Sequence, residues 1–176
     1  MADLVIAHTS ELDLAVRAVA RELLYAVFDD MTEGDWEHCL GGMHALVWEG
    51  TELVGHASVV QRRLLHRGAA LRAGYVEGVA VHADHRGRGH GTTMMAALEG
   101  VARAAYDIAA LGATDEAVNL YTGRGWQPWL GPTSALTPTG VQRTPDEDGA
   151  IYVLPLAVAV DVREELSCDW RDGDVW

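Results

Sequence analysis

A chain of 176 residues that is 49% apolar holds enough material for one domain of ordinary size with its own core. Its 13 basic and 26 acidic residues leave a net charge of −13, which turns away nucleic acid and anionic lipid, and its apolar runs are far too short to span a bilayer. Two cysteines cannot build a disulfide framework, and no basic flank precedes an apolar stretch at the N-terminus, so the expected location is the cytoplasm.

Read in chain order, residues 3–7 form a short strand. Residues 10–27 follow as an amphipathic helix with Ser10 as its N-cap and Leu12, Val16, Val19, Leu23 and Val27 as its apolar stripe. Within Phe28–Leu40, Thr32 caps a short acidic helix that Gly41 and Gly42 end. Segments 43–50 and 51–68 make a hairpin turning near Glu49–Thr51, and a strand over 71–83 follows a turn at Arg67–Gly68. A glycine-rich loop then runs into a helix, with a strand near 107–111 and a helix from Asp115 to about Gly123. This alternation predicts a mixed α/β fold whose second half is partly parallel. The remainder is a proline-marked excursion, a strand over 150–160 and a turn-like end, 168–176. Neither repeat nor linker divides the chain, so one continuous domain over 1–176 is expected.

The sharpest chemical signal is Arg86-Gly87-Arg88-Gly89-His90-Gly91-Thr92, between a strand and a helix. Glycines at alternate positions let backbone approach a ligand, and N–H groups at a helix start favour a phosphate. Taken alone, the pattern also fits a flexible turn. GxxxxGK[ST] is absent, and the loop does not follow a first strand, so nucleoside triphosphate and dinucleotide loops are set aside.

Other residues carry less. Glu77 sits among apolar neighbours on the strand ahead of that loop, where it is either a proton acceptor or an ordinary strand carboxylate. Asp29, Asp30 and Asp35, and the run Asp146-Glu147-Asp148, would together attract a polycation, though each reads equally as solvated surface. The eight histidines are scattered without helical metal-ligand spacing, so no metal is expected. Every basic residue is arginine, which removes lysine Schiff-base chemistry. Cys39 and Cys168, each beside acidic residues, are not expected to act as nucleophiles. Trp126 and Trp129 are core residues or walls of a cleft.

The loop from Arg86 to Gly91 resembles the acetyl-CoA loop of the GNAT acetyltransferases, (Arg/Gln)-x-x-Gly-x-(Gly/Ala). Their second pattern, Ala-x-x-Leu-Tyr-x-x-x-Gly-(aromatic), is matched by Ala117, Leu120, Tyr121, Gly125 and Trp126, with Thr114 departing where Asn is common. Blocks over 35–50, 61–81, 124–149 and 168–176 resemble more narrowly the aminoglycoside 2'-N-acetyltransferases.

That resemblance implies a GNAT fold: a mixed, mostly antiparallel sheet with flanking helices and a splayed strand pair for acetyl-CoA. It implies a homodimer and acetyl transfer from the cosubstrate acetyl-CoA to the 2'-amine of an aminoglycoside by direct attack, giving drug inactivation. Glu77, with the C-terminal carboxylate of Trp176, would handle the amine proton, and Tyr121 would protonate the departing thiolate. Backbone of Val79, Ala80 and Val81 would hold the acetyl oxygen, with Arg86 through Thr92 at the pyrophosphate. Asp30, Asp35 and Glu147 would contact the drug, Glu147 standing where the family has Asp. Two alternatives stay open: acetylation of another polyamine or amino sugar, and a non-catalytic module binding acetyl-CoA or a cation.

Overall fold

The computed structural model describes residues 2–176, in two compact units. Up to Val60, together with Val76–Val101, the chain forms the first; Gln61–Tyr75 with Ala102–Trp176 forms the second. Two long strands run through both.

The first unit begins with β1 (Ala2–His8), a 3-10 turn at Thr9–Glu11, α1 (Leu14–Val27) and α2 (Glu33–His38). Asp13, not Ser10, caps α1: its carboxylate accepts from the Val16 N–H at 2.8 Å, and Ser10 lies in the preceding turn. The stripe also shifts, because Ala20, Leu23 and Leu24 are buried whereas Val19 is 38% exposed. Thr32 caps α2 as expected, in a reciprocal box with Asp35.

Three strands follow: β2 (Met43–Glu49), β3 (Glu52–His66) and β4 (Ala69–Val81). β1 pairs antiparallel with β2, and β2 with β3. β3 and β4 are joined by Arg67 and Gly68 alone, both left-handed (φ 50° and 79°), which suits the twist of a two-residue hairpin. Leu12, Leu23, Leu24, Trp36, Leu46, Leu53 and Ala80 pack as one core. Each buried leucine there stabilises by about 1.5–3 kcal/mol. The glycine-rich loop opens α3 (His90–Ala105), whose Met94 closes on β3 at Gly55, where a Cβ would stand 3.2 Å from Met94 Sδ.

In the second unit, β5 (Ile108–Gly112) runs parallel to β4, but the pairing covers only Ala73–Tyr75 with Ile108–Ala110, the short contact expected of a splayed pair. The helix expected over 115–123 is a 3-10 turn followed by α4 (Val118–Thr122). The excursion holds more structure than its prolines announce: β6 (Gln127–Pro128), a hairpin of β7 (Thr133–Thr137) and β8 (Gly140–Arg143), and a 3-10 turn at Pro145–Glu147. The strand expected over 150–160 stops early, as β9 (Ile151–Pro155), because Pro155 has no N–H and the Ala157 and Val158 amides turn onto the Asp107 carbonyl. Finally β10 (Leu166–Cys168), a strand not expected from the sequence, ends where the turn-like stretch begins and lies parallel to β7 and antiparallel to β3. Among the described residues no helix is long and apolar enough to cross a membrane.

Candidate active site

The first unit gathers three of the expected residues into one cavity of about 210 Å³, lined by Phe28, Asp30, Met31, Asp35, Cys39, Glu77 and Gly78. Asp35 is fixed locally. Its Oδ2 accepts from the Thr32 N–H at 2.8 Å and the Thr32 hydroxyl at 2.7 Å, while the Asp35 N–H donates to Thr32 Oγ1. Asp30 is exposed on the turn before α2, and Asp29 is not part of the lining. Glu77 is half-buried on β4, just before Gly78, which has φ +55° inside the strand. Three carboxylates opening on one cavity suit a ligand bearing several ammonium groups.

The glycine-rich loop has the conformation its sequence predicts. Gly87 and Gly89 are left-handed (φ 74° and 85°) with open space where a Cβ would stand, and the chain then enters the 16-residue α3. Backbone N–H groups at that helix start fit a pyrophosphate. Arg86 donates to the Val81 carbonyl at 3.2 Å, and Arg88 reaches Glu49 at 3.2 Å and the Asp84 carbonyl at 3.0 Å.

His90 contributes more than backbone: its buried ring lies 3.0 Å from Glu49 Oε1, and His85 Nδ1 stands 3.3 Å from Oε2. Burial raises the Glu49 carboxyl, but hydrogen bonds from His85 and His90 and the Arg88 charge outweigh it and lower the pKa. The histidines are thus less scattered than they read. Glu49, His85 and His90, and Glu52, His82 and His85, form two groups at metal-ligand spacing, and at Glu49 the Arg88 guanidinium supplies a cation.

The other expected residues lie in the second unit. Tyr121 on α4 is 4% exposed beside Trp126, and burial pushes its hydroxyl up to about 12. Glu147, in the 3-10 turn, is half-buried, and burial followed by the charges of Asp174 and Asp146 raises its carboxyl. Trp176 is buried; its indole N–H donates to Thr144 Oγ1 at 2.9 Å and its N–H to Asp174 Oδ1 at 3.0 Å. Since the Glu147 N–H bonds the Thr144 carbonyl, Glu147, Asp174 and Trp176 converge on one turn.

The acidic run does not act as a unit, because Asp148 turns to Arg143 and Thr133, the Arg143 hydrogen bond holding its carboxyl far below the usual range. Trp129 is wholly buried, its indole N–H donating to the Glu164 carbonyl, and belongs to the core. Burial, rather than acidic neighbours first, pushes the Cys168 thiol up to about 11 and leaves it a poor nucleophile. Sequence reasoning missed Asp174, Thr144 and Arg62, whose roles depend on contacts far along the chain, and the buried pair His44–His56, for which no local spacing gives a signal.

Residues 18–129 match the family model described as an acetyltransferase (GNAT) domain. The chain is 52% identical over 174 residues to the aminoglycoside 2'-N-acetyltransferase of Mycolicibacterium fortuitum, covering 96% of this chain and 89% of that one. In fold it is similar to an acyl-CoA N-acyltransferase from Pseudomonas aeruginosa (TM-score 0.62, 18% identity, 87% of this chain and 99% of that one). It is similar, too, to a GCN5-related N-acetyltransferase from Kribbella flavida (TM-score 0.59, 20% identity, 74% of this chain), about a third of whose length (35%) it spans. At these identities the structural likeness speaks for the fold alone.

Proposed function

The chain belongs to the aminoglycoside 2'-N-acetyltransferases, within the GNAT acetyltransferases, and on that premise we propose that it transfers the acetyl group of acetyl-CoA to the 2'-amine of aminoglycosides in a ternary complex. The observation that carries the substrate side is the cavity shared by Asp30, Asp35 and Glu77, whose charge matches a polyamine sugar.

An ammonium has no lone pair, so the amine must lose a proton before it attacks. Glu77 accepts that proton, directly or through water, while Asp30 and Asp35 hold neighbouring ammonium groups. In this reading Glu147 and the Trp176 carboxylate also serve the substrate. Bound acetyl-CoA supplies an activated thioester carbonyl and a thiolate leaving group. N–H groups of the Arg86–Thr92 loop hold its pyrophosphate, and backbone N–H groups within Val79–Val81 donate to the acetyl oxygen as it gains charge. Tyr121 gives its proton to the sulfur. Its raised pKa keeps it protonated at working pH, as a proton donor requires. Drug inactivation, a homodimer and a cytoplasmic location belong to the same reading.

The test is thiol release from acetyl-CoA with a 2'-amino aminoglycoside and, in parallel, with its 2'-hydroxyl analogue, each product being weighed by mass spectrometry. One added acetyl on the amine-bearing drug alone is expected. Acetylation of both would move the reaction to another amine of the drug, and release with neither would leave an enzyme for another amine or a binding module.

A further inference from the structure

Behind the carboxylate cavity, a chain of hydrogen bonds runs from Thr9 to the backbone of Gly78. The Thr9 hydroxyl lies 2.8 Å from His44 Nε2, His44 Nδ1 lies 3.0 Å from His56 Nε2, and His56 Nδ1 lies 2.8 Å from the Gly78 carbonyl oxygen. Both imidazoles are fully buried. With both rings neutral the direction of the chain follows. A carbonyl only accepts, so His56 carries its proton on Nδ1; its Nε2 then accepts, so His44 also carries its proton on Nδ1 and leaves Nε2 to accept from the Thr9 hydroxyl, which has the Gly42 carbonyl oxygen as a longer second acceptor at 3.2 Å. The Gly41 N–H completes the series by donating to the Thr9 oxygen at 2.8 Å. Because the last acceptor cannot be protonated, the series is a prop and not a proton wire.

What it props is the one left-handed residue inside β4. Gly78 has φ +55°, and a Cβ there would stand 2.8 Å from Cys39 Sγ and 3.3 Å from Leu24 Cδ1. Its backbone is therefore walled on one side by Cys39 and Leu24 and tied through its carbonyl to His56. Glu77, its neighbour, lines the cavity. The His56 ring also lies 6.1 Å from the ring of Trp36, the residue after Asp35 on α2. One imidazole thus supports the strand of Glu77 and the helix of Asp35.

We propose that His44 and His56 are positioning residues: the relay from Thr9 fixes the Gly78 carbonyl and thereby aims the Glu77 carboxylate into the cavity. The proposal rests on the reading of Glu77 as proton acceptor. Burial keeps the rings neutral, His56 near 4 and His44, further repelled by His56, His8 and Arg17, near 3.

Nitrogen NMR of the imidazoles in the unaltered protein comes first. Both rings should be Nδ1–H tautomers at neutral pH, and a cationic ring or an Nε2–H tautomer at either position overturns the relay. Kinetics follow with His56→Asn, whose amide nitrogen can replace Nδ1 as donor, and His56→Leu, which has none, each with and without Glu77→Gln.

His56→Leu should lower kcat about 10-fold or more at an unchanged Kd for acetyl-CoA. His56→Asn should recover most of that loss, and the loss should vanish in the Glu77→Gln protein. A loss that persists with Glu77→Gln, or that His56→Asn does not recover, overturns the positioning role. Unchanged kcat in Glu77→Gln alone removes the proton-acceptor reading and the catalytic half of the proposal with it, while the tautomers report on the relay separately.

Discussion

Asp35 in the first unit and Glu147 in the second are both acidic residues in a short helical turn that follows a threonine, yet they are held in opposite ways. Asp35 answers its own cap, exchanging hydrogen bonds with Thr32 three residues back. Glu147 has no such partner, because the hydroxyl of Thr144 makes no cap bond and is taken by Thr133 and the Trp176 indole. The first turn is built by its own sequence. The second is built by segments that arrive from 11 and 32 residues away, and its carboxyl is left beside Asp174 and Asp146, where burial and like charge raise its pKa.

Acid should separate the two regions most strongly. In the unfolded chain His44 and His56 take up protons below their ordinary value of 6.5, whereas in the fold they do so only near 3 and 4. The unfolded state therefore binds more protons across that window, and stability of the first unit falls as pH drops from about 6.5 toward 4, by on the order of a few kcal/mol. In the second unit Asp148 is lowered by Arg143 and Thr133, so its contribution is complete above its ordinary value of 3.8 and is lost only as pH falls below that. Hydrogen exchange at about pH 7 and about pH 5 checks this difference. Amides of β2 and the first half of β3 should lose protection at the lower pH while β7 and β8 keep theirs, and equal losses would erase the distinction.

A smaller effect is expected at Arg62, which organises the end of the second unit. Only 4% exposed, it donates to Asp169 Oδ1 at 2.8 Å, to the Asp169 carbonyl at 2.9 Å and to the Val175 carbonyl at 2.7 Å, with Tyr75 under its guanidinium. Arg62→Met keeps the bulk and removes every donor. Asp169 is partly solvated and retains the Arg63 N–H, so the cost should be about 2 kcal/mol, below that of a fully buried broken pair. Thermal unfolding and proteolysis of 169–176 measure it: the tail should become cleavable while Asp35 and its turn stay protected. An uncleaved tail would show that Trp176 does not depend on this remote tie.

The same contrast explains what could be read in the sequence. The Thr32 cap, the Arg67–Gly68 turn and the loop from Arg86 to Thr92 are local patterns set by a few neighbouring residues, and the structure holds each where the sequence placed it, adding Asp35 as the reciprocal partner of Thr32. Ser10 misled because Asp13, three residues on, offers a better acceptor to the first free amides of α1. The parallel pairing of β10 with β7 and the convergence of Thr144, Asp174 and Trp176 join residues too far apart for any periodicity to announce. His44 and His56 were invisible for another reason: they lie on neighbouring strands two register positions apart, and imidazoles in a strand carry no spacing of their own.

Thr32→Ala isolates the local side of the comparison and should have the smallest effect. It removes the hydroxyl that accepts from the Asp35 N–H and donates to the Asp35 carboxylate, while the Thr32 N–H, a backbone donor, remains. Losing an N-cap of this kind costs about 1 kcal/mol. Because α2 has only six residues and carries both Asp35 and the core residue Trp36, fraying of its first turn should reach the cavity before it reaches the core. The expected signature is therefore kinetic: KM for the aminoglycoside rises several-fold while kcat and the acetyl-CoA Kd stay within about twofold. Thr32→Ser, which keeps the hydroxyl, should behave as the unaltered protein. If Thr32→Ala instead lowered kcat as much as it raised KM, the turn would be coupled to the Glu77 strand and would no longer count as a locally built element.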